Sequence, residues 1–413
     1  MPVTALIPFA AFPLVGVLGH SDVAQSYGHT LVLLMLAGSM VGAALEKANA
    51  HKRLALGMVR LVGGRKASHL VLGFLLASAA LSMWISNTAT IVMLLPVTLA
   101  ALDSQGEETR RHMTIPLLLA LAYGGAIGGT ATPIGTPPNL IFLSHYELAT
   151  GRTISFSQWM GIGVPLVAVM LPIAWLWLVR RIPANTPTAQ MSPLGPWRPS
   201  ERRVLVVFGL TALAWMTRAG PFGGWQELIG AGGTAGDSTV ALAAVVVLFL
   251  VPSGDEEGGA LLDWNTAIKI PWGVFIMIGG GMAIGQAFQS SGLGEAIGGA
   301  LGSITLLPLF LMVGLICIFA TFLTEITSNT AVANVLMPVL AAVGVAANMD
   351  PWWLMVPATL GLNWAFMLPV ATAPNAIVYG AGRITAQKMA REGFALNVIG
   401  AVLIAVMSMW LLR

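Results

Sequence analysis

The tripeptide Ser-Asn-Thr occurs at Ser86-Asn87-Thr88 and again at Ser328-Asn329-Thr330, each time inside an apolar segment and each time with a proline ten residues after the serine. Aligning SNTATIVMLLP with SNTAVANVLMP keeps Ser, Asn, Thr, Ala, Leu and Pro. A second pair follows: PIGTPPNLI from Pro133 and PVATAPNAI from Pro369 share Pro, Thr, Pro, Asn and Ile. Two motifs recurring in the same order, at offsets of 242 and 236 residues, mark an internal structural repeat. Such a repeat places a site at the interface of two halves.

The rest of the chain sets the solvent for that site. It has 413 residues, is 56% hydrophobic and 9% charged, and has a mean hydropathy of +0.82, which excludes a soluble globular protein. An all-α polytopic membrane protein is the expected class. Its net charge of +3 reports topology rather than nucleic-acid binding. Cys317 stands alone in an apolar run and reads as a small core residue. The opening MPVTALIPFAAFPLVGVLG lacks a basic n-region and a small-residue cleavage site, so it reads as a membrane helix rather than a signal peptide.

Apolar spans at 2–19, 30–48, 113–131, 158–179, 203–218, 238–252, 271–288, 352–370 and 393–412 predict nine membrane helices, since a crossing takes roughly 20 residues. Two longer stretches, 68–102 and 305–347, carry the Ser-Asn-Thr motifs near their middles; each is too long for one crossing and suits a helical hairpin with the motif at its tip. The polar segments 51–66 and 252–264 read as amphipathic helices along the interface, and 180–203 as a Pro-rich linker. Short cytoplasmic loops carry the excess of Lys and Arg. If the hairpins are re-entrant and enter from opposite faces, seventeen of twenty basic residues lie on the cytoplasmic side, leaving Arg152, Arg218 and the C-terminal Arg413 outside. Reading either hairpin as a single crossing spoils that bias, so the count predicts two halves of inverted topology.

Non-helical backbone at membrane depth is tolerated only where protein or a wet cavity surrounds it. Ser-Asn-Thr ahead of a helix-forming run is a strong N-cap, and a helix N-terminus, with unpaired N–H groups and about half a positive charge, is a ready anion site. Thr136-Pro137-Pro138-Asn139 and Thr372-Ala373-Pro374-Asn375 break a span, because proline removes a donor and excludes helix before it. Unwound carbonyls at such breaks, with hydroxyl and amide oxygens, suit a dehydrated Na⁺. No Arg or Lys falls in the four motif segments, so a dianion held there needs helix N-termini, amides and co-bound cations to balance it.

SNTAT…LLP, IGTPPN, TEITSNTA and PVATAPNAIV resemble the motifs of the divalent anion/sodium symporter family, in order and across the whole chain. The resemblance implies a homodimeric secondary transporter of the inner membrane, moving dicarboxylates, tricarboxylates or sulfate, usually with Na⁺; dicarboxylates of the succinate, malate and fumarate class with two or more Na⁺ ions and no organic cofactor are the expectation. It also implies a scaffold surrounded by lipid and an elevator-like transport domain. On that pattern, residues 1–66 form scaffold helices and an interfacial helix. The first transport repeat is 67–157, with hairpin 68–102 and broken helix 113–150, and 158–252 returns to the scaffold. An interfacial arm and membrane helix occupy 253–304, and 305–413 holds the second repeat, with hairpin 305–347, broken helix 352–382 and the C-terminal helix. By position, one Na⁺ falls near Ser82, Ser86, Asn87 and Gly135, and a second near Thr324, Thr327, Asn329 and Ala371. Substrate falls to Ser86, Asn87, Thr88, Thr136, Ser328, Asn329, Thr330 and Thr372, supported by Pro138, Asn139, Pro374 and Asn375.

Two departures qualify the resemblance. The family pattern has two further helices before VTALIPFAAFPLVGV, so the chain begins inside it, and Ala373 stands where Thr-Pro-Pro-Asn predicts proline. Glu325, a carboxylate beside the second tip, has Met83 as its counterpart and reads as a brace for the hairpin. Trp84 reads as packing, and tryptophans near span ends, Trp159 among them, as an aromatic belt. All six histidines fall in or near predicted loops. A serine hydrolase is set aside because no His or Lys lies near Ser86 or Ser328 to act as base. The alternatives are a sodium-independent dicarboxylate exchanger and a sulfate or oxyanion permease of the same fold.

Overall fold

The computed structural model describes residues 2–63, 66–183, 186, 195–220, 224–231, 233–256, 258–301 and 307–412. Arg65 and Arg413 of the charge count, the first two residues of the 305–347 stretch, and much of the 180–203 linker lie outside these. Among the described residues the fold is helical, with one isolated bridge between Pro252 and Ala260. Among the described residues, six helices are long and apolar enough to cross a membrane: His20–Lys47, Glu107–Gly129, Phe156–Val179, Leu309–Ile326, Asn329–Ala346 and Ala386–Leu411. Pro199–Thr217, Asp237–Leu250 and Trp272–Ser290 occupy three further expected spans.

Two expectations fail, for backbone reasons. The segment 2–19 is not a helix of crossing length: a 3₁₀ turn at Thr4–Leu6 leads into Ile7–Leu14, which contains Pro13, and Gly16 then turns left-handed at φ 73°. Proline removes a helical donor and the left-handed glycine redirects the chain. Nor is 252–264 an amphipathic helix. Gly254, Gly258 and Gly259 take φ of 77°, 70° and 83°, folding the segment into a turn ahead of the short helix Trp264–Ala267. The other of these polar segments forms the helix Ala50–Gly63, whose Arg53 is anchored to Glu201 at 2.9 Å and lies 4.6 Å over the Trp197 ring.

Each Ser-Asn-Thr stretch is two helices that meet at the tripeptide. Ala67–Ser82 and Asn87–Asp103 form the first pair, Leu309–Ile326 and Asn329–Ala346 the second. The broken spans are Glu107–Gly129 followed by Pro137–Thr150, and Trp352–Asn363 followed by Ala373–Gly380. Within each half the leading helix of the pair packs on the leading helix of the break: Ala67–Ser82 on Glu107–Gly129, and Leu309–Ile326 on Trp352–Asn363. The trailing helices cross over: Asn329–Ala346 packs on Pro137–Thr150, and Ala373–Gly380 on Asn87–Asp103. The halves are therefore interlocked, and the four helix starts are brought to the centre.

Two of the helices that flank this body carry matching glycine pairs. Thr30–Lys47 carries Gly38 and Gly42, Trp272–Ser290 carries Gly281 and Gly285, and the two Gly-x-x-x-Gly pairs are 243 residues apart, close to the offset of the tips. Small residues at this spacing let helices approach closely. A Cβ on Gly38 would sit 3.3 Å from Ile134, and one on Gly42 3.6 Å from Ile85, ordinary or slightly tight contacts. There is no room for a Cβ on Gly281, where the Asn334 amide sits, or on Gly285 against the His145 ring. His145 is thus a buried helical residue and not a loop histidine, as is His51 in the interfacial helix. Trp159, expected in an aromatic belt, is fully buried and donates from Nε1 to the Thr130 carbonyl at 3.0 Å.

Candidate functional site

Helix starts determine the chemistry at the centre. Asn87, Pro137, Asn329 and Ala373 are the first residues of four helices, and all four line one cavity of about 990 Å³. All four present the positive end of the helix macrodipole, and the starts at Asn87 and Asn329 add N–H groups without intrahelical partners, whereas Pro137, Pro138 and Pro374 carry none. Ser86, Thr88, Gly135, Thr136, Thr327, Ser328, Thr330, Ala371, Thr372 and Pro374 line the same space. So the structure brings together every predicted substrate residue, drawn from both halves. Ser82, Thr324, Pro138, Asn139 and Asn375 stand behind that wall and are buried.

The buried asparagines hold the breaks open. Asn139 donates from Nδ2 to the carbonyls of Gly129 at 3.1 Å and Thr132 at 2.7 Å; Asn375 does the same to Ala365 at 3.0 Å and Leu368 at 3.1 Å. The acceptors are ten and seven residues upstream in both halves, the same 236-residue offset as the motif. An amide side chain thus replaces the helical partners that the prolines remove. The two breaks are also tied together: Asn363 Nδ2 donates to Asn139 Oδ1 at 2.7 Å, Trp364 Nε1 to Thr130 Oγ1 at 3.0 Å, and the Tyr123 hydroxyl to the Phe366 carbonyl at 2.9 Å.

The capping of the tips departs from the predicted symmetry. Ser86 Oγ accepts from the Ala89 N–H at 3.3 Å, whereas Ser328 makes no side-chain cap. At the breaks the roles reverse: Thr372 Oγ1 accepts from the Asn375 N–H at 3.2 Å, and Thr136 makes no cap. Each half thus keeps one uncapped hydroxyl at the cavity.

Hydroxyl and amide oxygens lie at the predicted cation positions. The Ser82 hydroxyl donates to Asn87 Oδ1, and its repeat counterpart Thr324 has a fully buried Oγ1 with no protein partner. An orphaned buried hydroxyl is costly unless something outside the protein set binds it. Thr327 Oγ1 donates to the Leu323 carbonyl at 2.8 Å, leaving its lone pairs free to accept a cation.

Glu325 acts as the predicted brace. Its carboxylate, 3% exposed, accepts from the Met367 N–H at 2.9 Å, the Leu368 N–H at 2.8 Å and Asn397 Nδ2 at 2.6 Å, while Asn397 Oδ1 accepts from the Phe366 N–H at 3.0 Å. This set fixes the backbone just ahead of Ala371 and Thr372. Asn397 was missed in the sequence, although an asparagine inside the apolar run of the last helix is a visible signal. Trp84 joins an aromatic cluster with Phe156, Phe208 and Trp215 and also lines the cavity, so packing is only part of its place. Also missed were Glu46 and Lys269, which line the cavity from outside the motif segments; the site is therefore not free of basic side chains.

Comparison with known proteins bears on this geometry. A citrate transporter family model (CitMHS) matches residues 1–361. The chain is 38% identical to a sodium-dependent dicarboxylate transporter, SdcS, of Staphylococcus saprophyticus, over 97% of this chain and 80% of that protein. It is 36% identical to SdcS of Staphylococcus aureus, with the same coverage. Among solved structures, the YdaH transporter of Alcanivorax borkumensis has a TM-score of 0.65 at 12% identity, covering 96% of this chain and 86% of that one. MtrF of Neisseria gonorrhoeae has a TM-score of 0.61 at 12% identity, covering 96% and 85%. At that identity the likeness is one of fold.

Proposed function

Since the chain belongs to the citrate transporter family, we propose that it is a secondary carrier that moves a C4 dicarboxylate together with Na⁺. The observation that carries this reading is the convergence of four helix N-termini from two halves on one cavity. Two N-termini from each half suit an anion charged at both ends. Asn87 and Thr88 with Thr136 take one carboxylate; Asn329 and Thr330 with Thr372 take the other. Ser86 and Ser328 flank them.

Sodium is the second substrate. One ion is assigned to Ser82, Ser86, Asn87 and Gly135, the other to Thr324, Thr327, Asn329 and Ala371, with Asn87 and Asn329 shared between cation and anion. Each bound cation then raises the affinity for the dianion, and the dianion raises affinity for sodium by the same factor. That reciprocity is what couples the fluxes.

Access alternates because the tips and breaks form one interlocked body against the two Gly-x-x-x-Gly helices, as an elevator requires, and the chain works as a homodimer in the cell membrane. The ion pairs support the predicted sidedness. Lys47–Asp263, Arg53–Glu201, Arg180 and Arg181 with Glu392, and Arg383–Asp103 involve basic residues assigned to the cytoplasm. Arg152–Asp350 and Arg218–Asp237 involve those assigned outside. Among the described residues no ion pair joins the two sets. Glu46 and Lys269 belong with the first set, so the cavity reaches toward the cytoplasm in this conformation.

Purified protein in proteoliposomes, given labelled succinate with an inward Na⁺ or choline gradient, tests the reading. Uptake above the choline level is expected, with little for sulfate. Equal flux in sodium and choline points to the exchanger, and sulfate uptake without succinate uptake to the oxyanion permease.

A further inference from the structure

Among the described residues, two charged side chains line the cavity, and neither belongs to a repeated motif. Glu46 stands near the end of Thr30–Lys47, half-buried; Lys269 follows Trp264–Ala267 and is exposed. Their charged neighbours are already matched. Lys47 Nζ lies 2.6 Å from Asp263 and donates to the Ala260 carbonyl at 2.8 Å. That contact with Lys47, with a backbone N–H from Thr266, holds the Asp263 carboxyl below the usual carboxylate range, so this pair stays charged and self-compensated. Glu46 and Lys269 are left to act on whatever occupies the cavity.

Their mounting matters as much as their sign. Every motif residue rides on the interlocked tips and breaks, whereas Glu46 and Lys269 sit on the flanking helix and the segment it is pinned to. When the body moves, the motif residues travel with the anion and these two charges do not. A charge that meets a ligand in one access state and not in the other biases that state alone.

We propose that Lys269 and Glu46 are side-specific selectivity residues that set anion affinity on the cytoplasmic face only. The proposal rests on the transport reading above. Lys269 draws the anion into the cavity mouth; Glu46 opposes it, and opposes a trianion such as citrate more than a dianion such as succinate. Both act through water at range, so removing either charge changes half-saturation for succinate by about three- to tenfold, and the change shrinks as inert salt is added.

The test uses the full-length protein in proteoliposomes of a single orientation, with half-saturation for succinate and citrate measured on each face at fixed Na⁺. On the cytoplasmic face Lys269→Met is expected to weaken succinate, Lys269→Arg to restore it, and Glu46→Gln to strengthen succinate and, by a larger factor, citrate. On the other face all three match wild type. The gain in Glu46→Gln cannot be produced by misfolding. Equal shifts on both faces, or none, in a protein whose wild type keeps sodium-dependent flux overturn this inference alone. A wild type without sodium-dependent flux overturns the transport reading and this inference with it.

Discussion

The two halves of the site make the same contact with opposite chemistry. In the first, the Thr132 hydroxyl of the break donates to the Met83 carbonyl of the tip. In the second, the Met367 and Leu368 N–H groups of the break donate to the Glu325 side chain of the tip. Residues 83 and 325, and 132 and 368, are counterparts by the offsets of the two motifs. The first half reaches this contact through small residues: no Cβ fits on Gly128 against the Ala79 backbone, so tip and break touch backbone to backbone, and within the break none fits on Gly135 against Gly129. The counterparts in the second half are Trp364, Ala371 and Ala365, and there a buried carboxylate makes the contact between tip and break. One half is closed by shape and the other by charge.

The largest effect that separates them comes from Glu325. Replacing it with Ala strands two backbone N–H groups and the Asn397 amide, at about 1–3 kcal/mol for each unsatisfied group. We expect Glu325→Ala to lower the melting temperature in detergent steeply, by an amount equivalent to about 3 kcal/mol or more, and to abolish sodium-dependent uptake. Met83→Ala at the counterpart should cost about 1 kcal/mol. Equal losses would remove the distinction between the halves.

Glycine substitutions give the converse. Gly135→Ala forces a methyl into the Gly129 backbone and should destabilise by about 1–3 kcal/mol, while Ala371→Gly at the counterpart should cost about 1 kcal/mol or less. The flanking helices split the other way: Gly281→Ala, against Asn334, should slow transport more than Gly42→Ala, whose nearest neighbour is 3.6 Å away. Thermal melts and uptake rates measured in parallel check both pairs.

Much of this was legible in the sequence because polar residues inside apolar runs have few reasons to be there, and repetition at a fixed offset removes most of those that remain. The tips, the breaks and the Asn139 and Asn375 positions were of this kind, and the unrepeated Glu325 was visible as a lone carboxylate in an apolar run. What escaped depends on packing between distant segments. The crossing of Asn329–Ala346 onto Pro137–Thr150 has no local signature, and Lys269 reaches the cavity from a loop whose composition looks merely interfacial. The segment 252–264 was misread because its charges suggested an amphipathic helix, while its glycines, with positive φ at 254, 258 and 259, decide the backbone.

Smaller differences lie in the caps. Ser86→Ala removes a side-chain cap and should cost about 1 kcal/mol of stability, whereas Ser328→Ala should be close to neutral; at the breaks Thr372→Ala should cost more than Thr136→Ala. Melting curves of the four variants test this order. The smallest effect concerns the exposed pair between Arg383 and Asp103, at 2.6 and 3.0 Å, which joins the halves at the surface. Hydrogen bonding from Arg383 holds the Asp103 carboxyl below its ordinary range. A depressed carboxyl stabilises the folded state above its unfolded value and loses that contribution as pH falls through the folded one. Arg383→Ala should therefore change the melting temperature slightly at neutral pH, and the difference from wild type should vanish in acid.

The central claim is that one dianion is held by both halves at once. Equilibrium binding of succinate to the purified protein, in Na⁺ and in choline, for wild type, Asn87→Ala and Asn329→Ala tests it most directly. Sodium-dependent binding by wild type and a loss of at least about tenfold in each variant, the equivalent of one charge-assisted contact, is the predicted result. Wild-type affinity in either variant would contradict it, since the anion would then be held by one half alone.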